Sequence, residues 1–275
     1  MDYIKYLNEK SGIENVKLVA INNAHDLLVL LQRNNLNIVT VESLTAGLAA
    51  STLVDIPTFG ANVYGGFIVY DSDAKRFFLG VKTPNVYSEK TSIQMASGAL
   101  RHSRATVALA VTGHAGPSSK ENLGVVDICV AIKLGKLVGD IDNLTNIEIK
   151  TLRIKSCENG FVSKVCENYL SETDNDVGEC KSKGLPFRCS KISTLGITRE
   201  TIRYYTVLKA YELAITLIND LTSKGKLPIT DKILDVTSYD GNYVACGEPS
   251  GVVNSYLSKN FKSDPNYGVQ LKCVN

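Results

Sequence analysis

The sequence predicts a layered α/β fold with a largely parallel or mixed sheet. Strand-like and helix-like stretches alternate along most of the chain, which is typical of helices packed against a sheet. Residues 24–34, "AHDLLVLLQRN", place apolar side chains at helical spacing, and a short strand rich in β-branched residues follows in residues 35–43. Residues 123–135, "LGVVDICVAIKLG", are almost continuously apolar, as expected of a strand buried on both faces.

The other elements are predicted from their apolar spacing and from the residues that punctuate them. Pro57 and Gly60 mark a loop. Ser88 precedes a helical pattern and is a suitable N-cap, because its hydroxyl can accept a hydrogen bond from a first-turn amide. In chain order, the patterns predict a helix over 44–56, a strand over 61–70, a helix over 88–103, a strand over 105–113 and an amphipathic helix over 198–223.

Residues 155–194 differ from the rest of the chain and are predicted to be an insertion. They are polar and weakly periodic, and we favour an exposed excursion over a lid or a partner surface. Four of the seven cysteines lie there without a CxxC pair, so reduced thiols are a better interpretation than a zinc site. The chain is therefore divided into a domain over residues 1–222, which contains the insertion, and a C-terminal extension over residues 223–275.

The composition is that of an ordinary globular protein. Of the 275 residues, 44% are hydrophobic and 21% are charged, and the net charge is +2, so neither a nucleic-acid partner nor a membrane surface is indicated. The N-terminal residues lack the pattern of a secretion signal, and no window reaches the roughly 18 apolar residues of a membrane span. These features predict a cytoplasmic protein, and they are compatible with both a monomer and a homo-oligomer.

Three polar clusters follow predicted strands. They occupy residues 42–45, "ESLT", residues 70–75, "YDSDAK", and residues 112–117, "TGHAGP". In open α/β sheets, ligands bind outside the carboxyl ends of the strands, where helix N-termini present free amides. We therefore expect the three clusters to converge on one site.

Ser43 has two interpretations. As a lone serine before a helix it is an N-cap, and that is the usual role of such a residue. As a nucleophile it needs a proton acceptor, and Lys75 can serve if burial or a neighbouring cation lowers its pKa. Tyr70 would then relay the proton or hold the lysine. Taken singly, Lys75 is a typical surface residue and Tyr70 a typical packing residue at a strand end.

The "TGHAGPSS" loop indicates a tight turn near a ligand. It lacks the Lys-Ser/Thr ending of a P-loop and the three glycines of a dinucleotide fingerprint. His114 invites an acid–base role because histidine titrates near neutral pH, but a single histidine without a partner is more often structural. No His/Asp pair accompanies Ser43, so a Ser-His-Asp triad has little support.

Taken in order, these motifs resemble a known family. "VESLTAG", "GGFIVYDSDAK", "AVTGHAGP", "LGVVDICVAI" and "TRETIR" are similar to the motifs of the CinA C-terminal domain family, the nicotinamide-nucleotide amidohydrolases. The resemblance covers residues 24–154 and resumes over residues 195–220. Several ordered motifs at compatible spacings make it far more specific than any single motif.

The resemblance implies a three-layer α/β/α domain that hydrolyses the carboxamide of nicotinamide mononucleotide to the acid and releases ammonia, with no metal or cofactor. It implies that Ser43 is the nucleophile, Lys75 its proton acceptor and Tyr70 an assisting group. Either Arg199 or Arg203 would face the nucleotide phosphate, and Gly113 would supply backbone amides. The full set of implied substrate-binding residues is Glu42, Thr45, Thr112, Gly113, His114, Arg199 and Arg203.

The chain departs from the family pattern at four places. Leu44 stands for a cysteine, Ala46 for the first glycine of a pair, His114 for an apolar residue, and "GIT" before Arg199 for Gly-Asp. We expect Ala46 to narrow the pocket. Two alternatives follow from these changes, namely a weak or inactive descendant that binds a nucleotide or a protein partner, and an amidase for another small carboxamide.

Overall fold

The computed structural model describes most of the chain up to residue 228. Its described residues are 12–57, 59–116, 122–157, 160–167, 188–191 and 198–228. The helices in these ranges are α1 (Gly12–Arg33), α2 (Leu48–Val54), α3 (Ser72–Leu79), α4 (Glu89–Arg101) and α5 (Arg199–Ser223). The strands are β1 (Ile38–Glu42), β2 (Val63–Ile68), β3 (Val107–Gly113), β4 (Val126–Val138), β5 (Thr145–Cys157), β6 (Gly160–Glu167) and β7 (Arg188–Lys191).

One mixed sheet contains all the strands of the described ranges. Their order is β2-β1-β3-β4-β5-β6-β7. Strand β1 lies parallel to both β2 and β3, whereas every later pairing, from β3–β4 to β6–β7, is antiparallel. The α/β class and the mixed sheet are confirmed, but parallel pairing is less extensive than the sequence analysis predicts. It is restricted to the three strands whose carboxyl ends carry the polar clusters.

Helices cover both faces of the sheet, which gives three layers. Helix α4 packs on β1, β3 and β4, and its apolar residues share one core with alternate residues of those strands. Helices α1 and α5 pack against each other, and α5 also contacts β3, β4 and β5. The described residues of α1 and α5 lie outside the α4 core. Because successive strand residues point to opposite faces, α1 and α5 cover the second face.

The close packing of α3 and α4 depends on Gly98. A Cβ atom built on Gly98 would lie 2.1 Å from the backbone oxygen of Leu79, at the end of α3. No side chain tolerates such a contact with backbone, so glycine is needed at this point of α4. The predicted cap of α4 is confirmed, since the Ser88 hydroxyl accepts a hydrogen bond from the Thr91 amide at 3.2 Å.

Helix α3 is not predicted from the sequence, where residues 70–75 stand out only as a polar cluster. Asp71 caps the helix by accepting a hydrogen bond from the Asp73 amide at 2.7 Å. Gly80 ends it with a φ of 69°, in the left-handed region that glycine adopts most readily. An aspartate and a glycine in these positions are helix start and stop signals that identify α3.

Part of the predicted insertion belongs to the sheet. The backbone of β6 pairs with β5 from Lys150 and Glu167 to Cys157 and Gly160, and β7 extends the sheet beyond β6. Residues 168–187 of the insertion and residues 229–275 of the predicted extension lie outside the described residues. Within the described ranges, no helix combines the length and the apolar character that a bilayer crossing needs.

Candidate active site

The three polar clusters converge at the carboxyl ends of β1, β2 and β3. The Ser43 amide donates to the carbonyl oxygen of Val111 at 3.2 Å, and the Val69 amide donates to that of Glu42 at 2.9 Å. These bonds continue the parallel pairing beyond the strands and bring the chain segments side by side. A pocket of about 140 Å³ opens there, lined by Ser43, Leu44, Tyr70, Tyr87, Gly113, His114, Ala115, Gly116 and Arg199.

The turn that carries Ser43 is organised by a buried carboxylate. Glu42 is fully buried, and its two oxygens accept hydrogen bonds from the amides of Gly47, Ala49 and Ala50 at 2.8–3.0 Å. Glu42 therefore caps α2 from the preceding strand, and its negative charge is favourable at the positive end of the helix. The capping interpretation of Ser43 is wrong, because helix α2 begins only at Leu48 and the capping acceptor is Glu42.

We expect Glu42→Gln to destabilise the protein by about 2–4 kcal/mol, because charge-assisted hydrogen bonds are lost in a buried place. In either orientation, the glutamine amide group turns an N–H toward at least one α2 amide that now donates to Glu42. The free energy of unfolding measured in urea checks this prediction. Glu14→Gln is the control, because the Glu14 side chain is 54% exposed and the change should cost less than about 0.5 kcal/mol. Equal losses in both variants would contradict the capping role of Glu42.

Ala46 affects the backbone of this turn and not the width of the pocket. Its φ is 51°, and that of the next residue, Gly47, is 92°. Its side chain is exposed and does not line the pocket, so the expected narrowing by Ala46 is wrong. An alanine in the left-handed region is strained by about 1 kcal/mol relative to glycine. The alanine that stands here in place of the family's glycine therefore lowers the stability of the folded protein.

Ala46→Gly is expected to raise the free energy of unfolding by about 0.5–1 kcal/mol, because release of the strain outweighs the greater freedom of glycine in the unfolded chain. The matched control is Ala50→Gly, four residues later within α2, which should lower stability by about 0.5–1 kcal/mol. Urea unfolding of both variants makes the comparison. Loss of stability in both would show that residue 46 is not strained.

Ser43 is a buried residue of the pocket lining. The residue is 3% exposed and lines the pocket wall. In the part of the chain that the structure describes, its hydroxyl forms no hydrogen bond. The amide of Leu44, which lines the same pocket, also donates no hydrogen bond there. An unengaged hydroxyl next to an unengaged amide is the arrangement that a nucleophile and an oxyanion donor need.

Lys75 lies in α3 and is almost completely buried, at 1% exposure. Its Nζ donates to the carbonyl oxygen of Tyr70 at 2.9 Å, and the described residues contain no hydrogen bond between Lys75 and Ser43. Burial lowers the pKa of Lys75 to about 8, with Asp71 opposing the shift and Arg76 adding to it. At pH 7 roughly one-tenth of such lysines are neutral, which is far more than for an exposed lysine.

Tyr70 and Arg199 meet at the pocket. Arg199 is the first residue of α5, and its guanidinium donates to the Tyr70 hydroxyl at 3.3 Å and to the carbonyl oxygen of Gly116. Tyr70 is 62% exposed. The guanidinium carries five N–H donors, so these two contacts leave donors for an anionic ligand. The structure thus places a cation at the edge of the pocket, although the residues before Arg199 differ from the family pattern.

Arg203 lies one helical turn beyond Arg199 and has a different position. It donates to the carbonyl oxygen of Thr45 at 2.7 Å and does not line the pocket. Thr45 is fully buried, and its hydroxyl and the Arg203 Nε form no hydrogen bond within the described ranges. Arg203 therefore braces the turn that carries Ser43, together with Tyr211, whose hydroxyl donates to the carbonyl oxygen of Ala49 at 2.6 Å.

Of the polar cluster that begins at the end of β3, Gly113 and His114 line the pocket, whereas Thr112 does not. The Thr112 hydroxyl is buried and donates to the carbonyl oxygen of Val86 at 2.7 Å. Gly113 has a φ of 151°, and a Cβ atom there would lie 2.4 Å from the backbone oxygen of Val125. His114 stacks on Tyr87, a pocket residue that the sequence analysis does not identify. The one sequence signal for Tyr87 is that it directly precedes Ser88, the predicted cap of α4.

A metal centre is not formed by the described residues, where no three His, Cys, Asp or Glu side chains are grouped to hold an ion. The fold and the site define a three-layer α/β protein with a serine-bearing pocket at the carboxyl ends of its parallel strands. The model of the CinA C-terminal domain family matches residues 21–161, just over half of the 275 residues. The chain belongs to the CinA C-terminal domain family.

Individual relatives are similar over part of the chain. A "CinA-like protein" of Chlorobium luteolum is 39% identical over 114 residues, 38% of this chain and 26% of that protein. A "Putative competence-damage inducible protein" of Caldicellulosiruptor bescii is 36% identical over 153 residues, 51% of this chain and 34% of that protein. The matched region thus spans about a quarter to a third of these relatives. The solved competence/damage inducible protein CihA of Agrobacterium tumefaciens is 27% identical, with 73% of this chain and 96% of that chain covered and a TM-score of 0.49.

Proposed function

We propose that the protein hydrolyses the carboxamide of nicotinamide mononucleotide to nicotinate mononucleotide and ammonia. The observation that carries the proposal is Ser43 in the pocket lining, with its hydroxyl unengaged among the described residues, together with the buried Lys75 of α3, whose Nζ donates to the carbonyl oxygen of the pocket residue Tyr70. The lowered pKa of Lys75 makes a neutral lysine available near physiological pH. Membership of the CinA family supports the same chemistry.

The first step is attack of the Ser43 oxygen on the carboxamide carbon as its proton passes to Lys75. Negative charge then develops on the carboxamide oxygen, and the Leu44 amide beside Ser43 is suited to stabilise it. Collapse of the intermediate breaks the carbon–nitrogen bond. The leaving nitrogen takes the proton from Lys75 and departs as ammonia, with Tyr70 assisting. Water hydrolyses the resulting ester and restores the Ser43 hydroxyl.

Arg199 supplies the charge that would hold the substrate phosphate. It lies at the pocket edge, is exposed, and retains donors beyond its contacts with Tyr70 and Gly116. A guanidinium fork suits phosphate oxygens. At about 140 Å³ the pocket is smaller than the roughly 300–1,000 Å³ of most small-molecule sites, so it suits the reacting end of a nucleotide better than the whole molecule. Arg203 is assigned to the Ser43 turn and not to the phosphate.

A substrate panel tests the proposal. The purified protein is incubated separately with nicotinamide mononucleotide, with free nicotinamide and with an aliphatic carboxamide, and ammonia and the acid product are measured. The proposal requires equimolar ammonia and acid from the mononucleotide and little from the other two. Turnover of another carboxamide alone would indicate a different amidase, and binding of the mononucleotide without product would indicate a nucleotide-binding protein. Either result would overturn the proposal.

A further inference from the structure

Two aromatic rings contribute to the lining of the pocket that Ser43 also lines. The rings of Tyr87 and His114 have their centroids 4.2 Å apart and are inclined by 36°. Both residues line the pocket. Tyr87 is nevertheless 44% exposed, which is not expected of an aromatic pair that serves only to fill the core. The Tyr87 side of the pair therefore stays open to a ligand.

The backbone of Tyr87 and of the two residues before it is fixed by hydrogen bonds. The Thr112 hydroxyl donates to the carbonyl oxygen of Val86, the residue before it, at 2.7 Å. Asn85 accepts a hydrogen bond from the Tyr87 amide at 3.0 Å through its side chain, and from the Thr91 hydroxyl at 2.6 Å through its carbonyl oxygen. The Tyr87 backbone is thus held in place before any ligand binds, which reduces the entropy lost on binding.

The backbone of His114 is fixed as well, while its ring is not otherwise engaged. Its amide donates to the carbonyl oxygen of Val125 at 2.9 Å, and its own carbonyl oxygen accepts from the Gly124 amide at 2.8 Å. Within the described part of the chain, the imidazole nitrogens form no hydrogen bond. The imidazole is therefore positioned by the strand and by its contact with Tyr87.

We propose that the Tyr87–His114 pair is a platform for a flat, electron-poor heteroaromatic ring, and that it selects carboxamides carried on such a ring. The inference rests on the proposed function, because the ring in question is the pyridinium of nicotinamide mononucleotide. A cationic ring is attracted to the electron-rich face of a phenol, and stacking on a fixed pair adds little ordering cost. The platform orients the carboxamide toward Ser43 and rejects aliphatic amides, which have no ring to stack.

The test measures binding separately from turnover. Dissociation constants for nicotinamide mononucleotide are determined by calorimetry in the Ser43→Ala background, and KM and kcat are measured with an intact Ser43. We expect Tyr87→Leu to raise both the dissociation constant and KM by about tenfold, with kcat changed less than about threefold. Tyr87→Phe, which keeps the ring, should retain affinity within about threefold. Tyr64→Leu is the matched control, because Tyr64 is 43% exposed and lies on β2 away from the pocket lining.

A ligand comparison keeps the test independent of how the variants fold. Reduced nicotinamide mononucleotide keeps the carboxamide and the phosphate but has an uncharged dihydropyridine ring. The protein with Tyr87 intact should bind it about tenfold more weakly than the oxidised form. Equal affinity for the two forms, or unchanged affinity and KM in Tyr87→Leu, would overturn the platform.

Failure of the platform and failure of the proposed function give different results. If the mononucleotide is turned over and Tyr87→Leu has no effect on KM, the platform is wrong and the amidohydrolase function stands. If the mononucleotide is bound with the expected dependence on Tyr87 but no ammonia forms, the platform stands and the hydrolytic function fails. Absence of both binding and turnover overturns both.

Discussion

Ser43→Ala is expected to lower kcat for nicotinamide mononucleotide by at least about a thousandfold, because removal of a nucleophile leaves only the contribution of binding and oxyanion stabilisation. The loss should appear with every carboxamide that the protein hydrolyses. The ammonia released per active site, measured with a coupled assay, checks it. The fold should be preserved, since the Ser43 hydroxyl forms no hydrogen bond among the described residues, and thermal unfolding should differ little from that of the unaltered protein.

Ser97 provides a matched control for Ser43. It is 1% exposed, lies in α4, and its hydroxyl has no hydrogen-bond partner within the described ranges. Ser97→Ala therefore removes the same atom from a similarly buried serine that does not line the pocket. Its turnover should remain close to that of the unaltered protein. A comparable loss of activity in both variants would point to a general effect of serine removal and not to a nucleophile.

Lys75→Met should lower kcat by about 100-fold or more, the usual contribution of a general base. In the protein with Lys75, activity should fall about tenfold for each pH unit below the lysine pKa of about 8 and level off above it, because only the neutral amine accepts a proton. A pH–rate profile from pH 6 to pH 9 measures this. The residual activity of Lys75→Met should not increase with pH in this way. An increase of equal size in the variant would show that a group other than Lys75 causes the pH dependence.

The same lysine gives stability a defined dependence on pH. Burial lowers the pKa of Lys75 from 10.5 to about 8, so the unfolded chain binds more protons than the folded protein between these values. The free energy of unfolding therefore increases as pH rises from 8 to 10.5, and Lys75 contributes about 3 kcal/mol to this increase at most. Below pH 8 the buried lysine is charged, and the full cost of burying that charge lowers the stability. Lys75→Met should remove this increase and be more stable near pH 7.

Lys82→Met is the control for the stability measurement. The Lys82 side chain is 63% exposed, so the unfolding free energy of this variant should depend on pH as it does in the unaltered protein. The quantity to compare is the difference in stability between each variant and the unaltered protein at pH 7.5 and pH 10. A difference that stays constant for Lys75→Met would contradict the lowered lysine pKa.

Much of the parallel half of the sheet follows from the sequence. The β-branched run "IVTV" and the run of β3 have no charged residues to place them on a surface, so both lie where two helical layers cover the sheet. Helix α3 is missed because its charged residues mask a short amphipathic turn, although Asp71 and Gly80 mark its ends. Strand β6 is missed because its polar, cysteine-bearing context hides the pairing with β5, which depends on contacts distant in sequence.

Convergence of the clusters is predictable because parallel strand ends meet at one edge of a sheet. The partner of each side chain is not predictable in this way. Lys75 lies on a short helix with charged neighbours, where a lysine is ordinarily exposed, and only the packed structure shows its burial. Glu42, Thr112 and Arg203 have suitable chemistry for a pocket, yet each forms hydrogen bonds to nearby backbone instead.

The left-handed φ of Ala46 and the aromatic contact of Tyr87 also lie beyond sequence reasoning. The first depends on the path that the Glu42 carboxylate imposes on the following turn, and the second on a hydrogen bond between Thr112 and Val86 across 26 residues. Both are consequences of tertiary structure. The departure from the family motif at Ala46 thus acts through backbone geometry.

Formation of ammonia from nicotinamide mononucleotide, measured in parallel for the unaltered protein and Ser43→Ala, tests the central claim most directly. We predict that the unaltered protein releases ammonia and nicotinate mononucleotide in equal amounts over many turnovers, and that the folded variant releases neither above background. Equal rates in the two proteins, or no product from the unaltered protein at pH 8.5, would contradict the assignment of Ser43 as the nucleophile of an amidohydrolase.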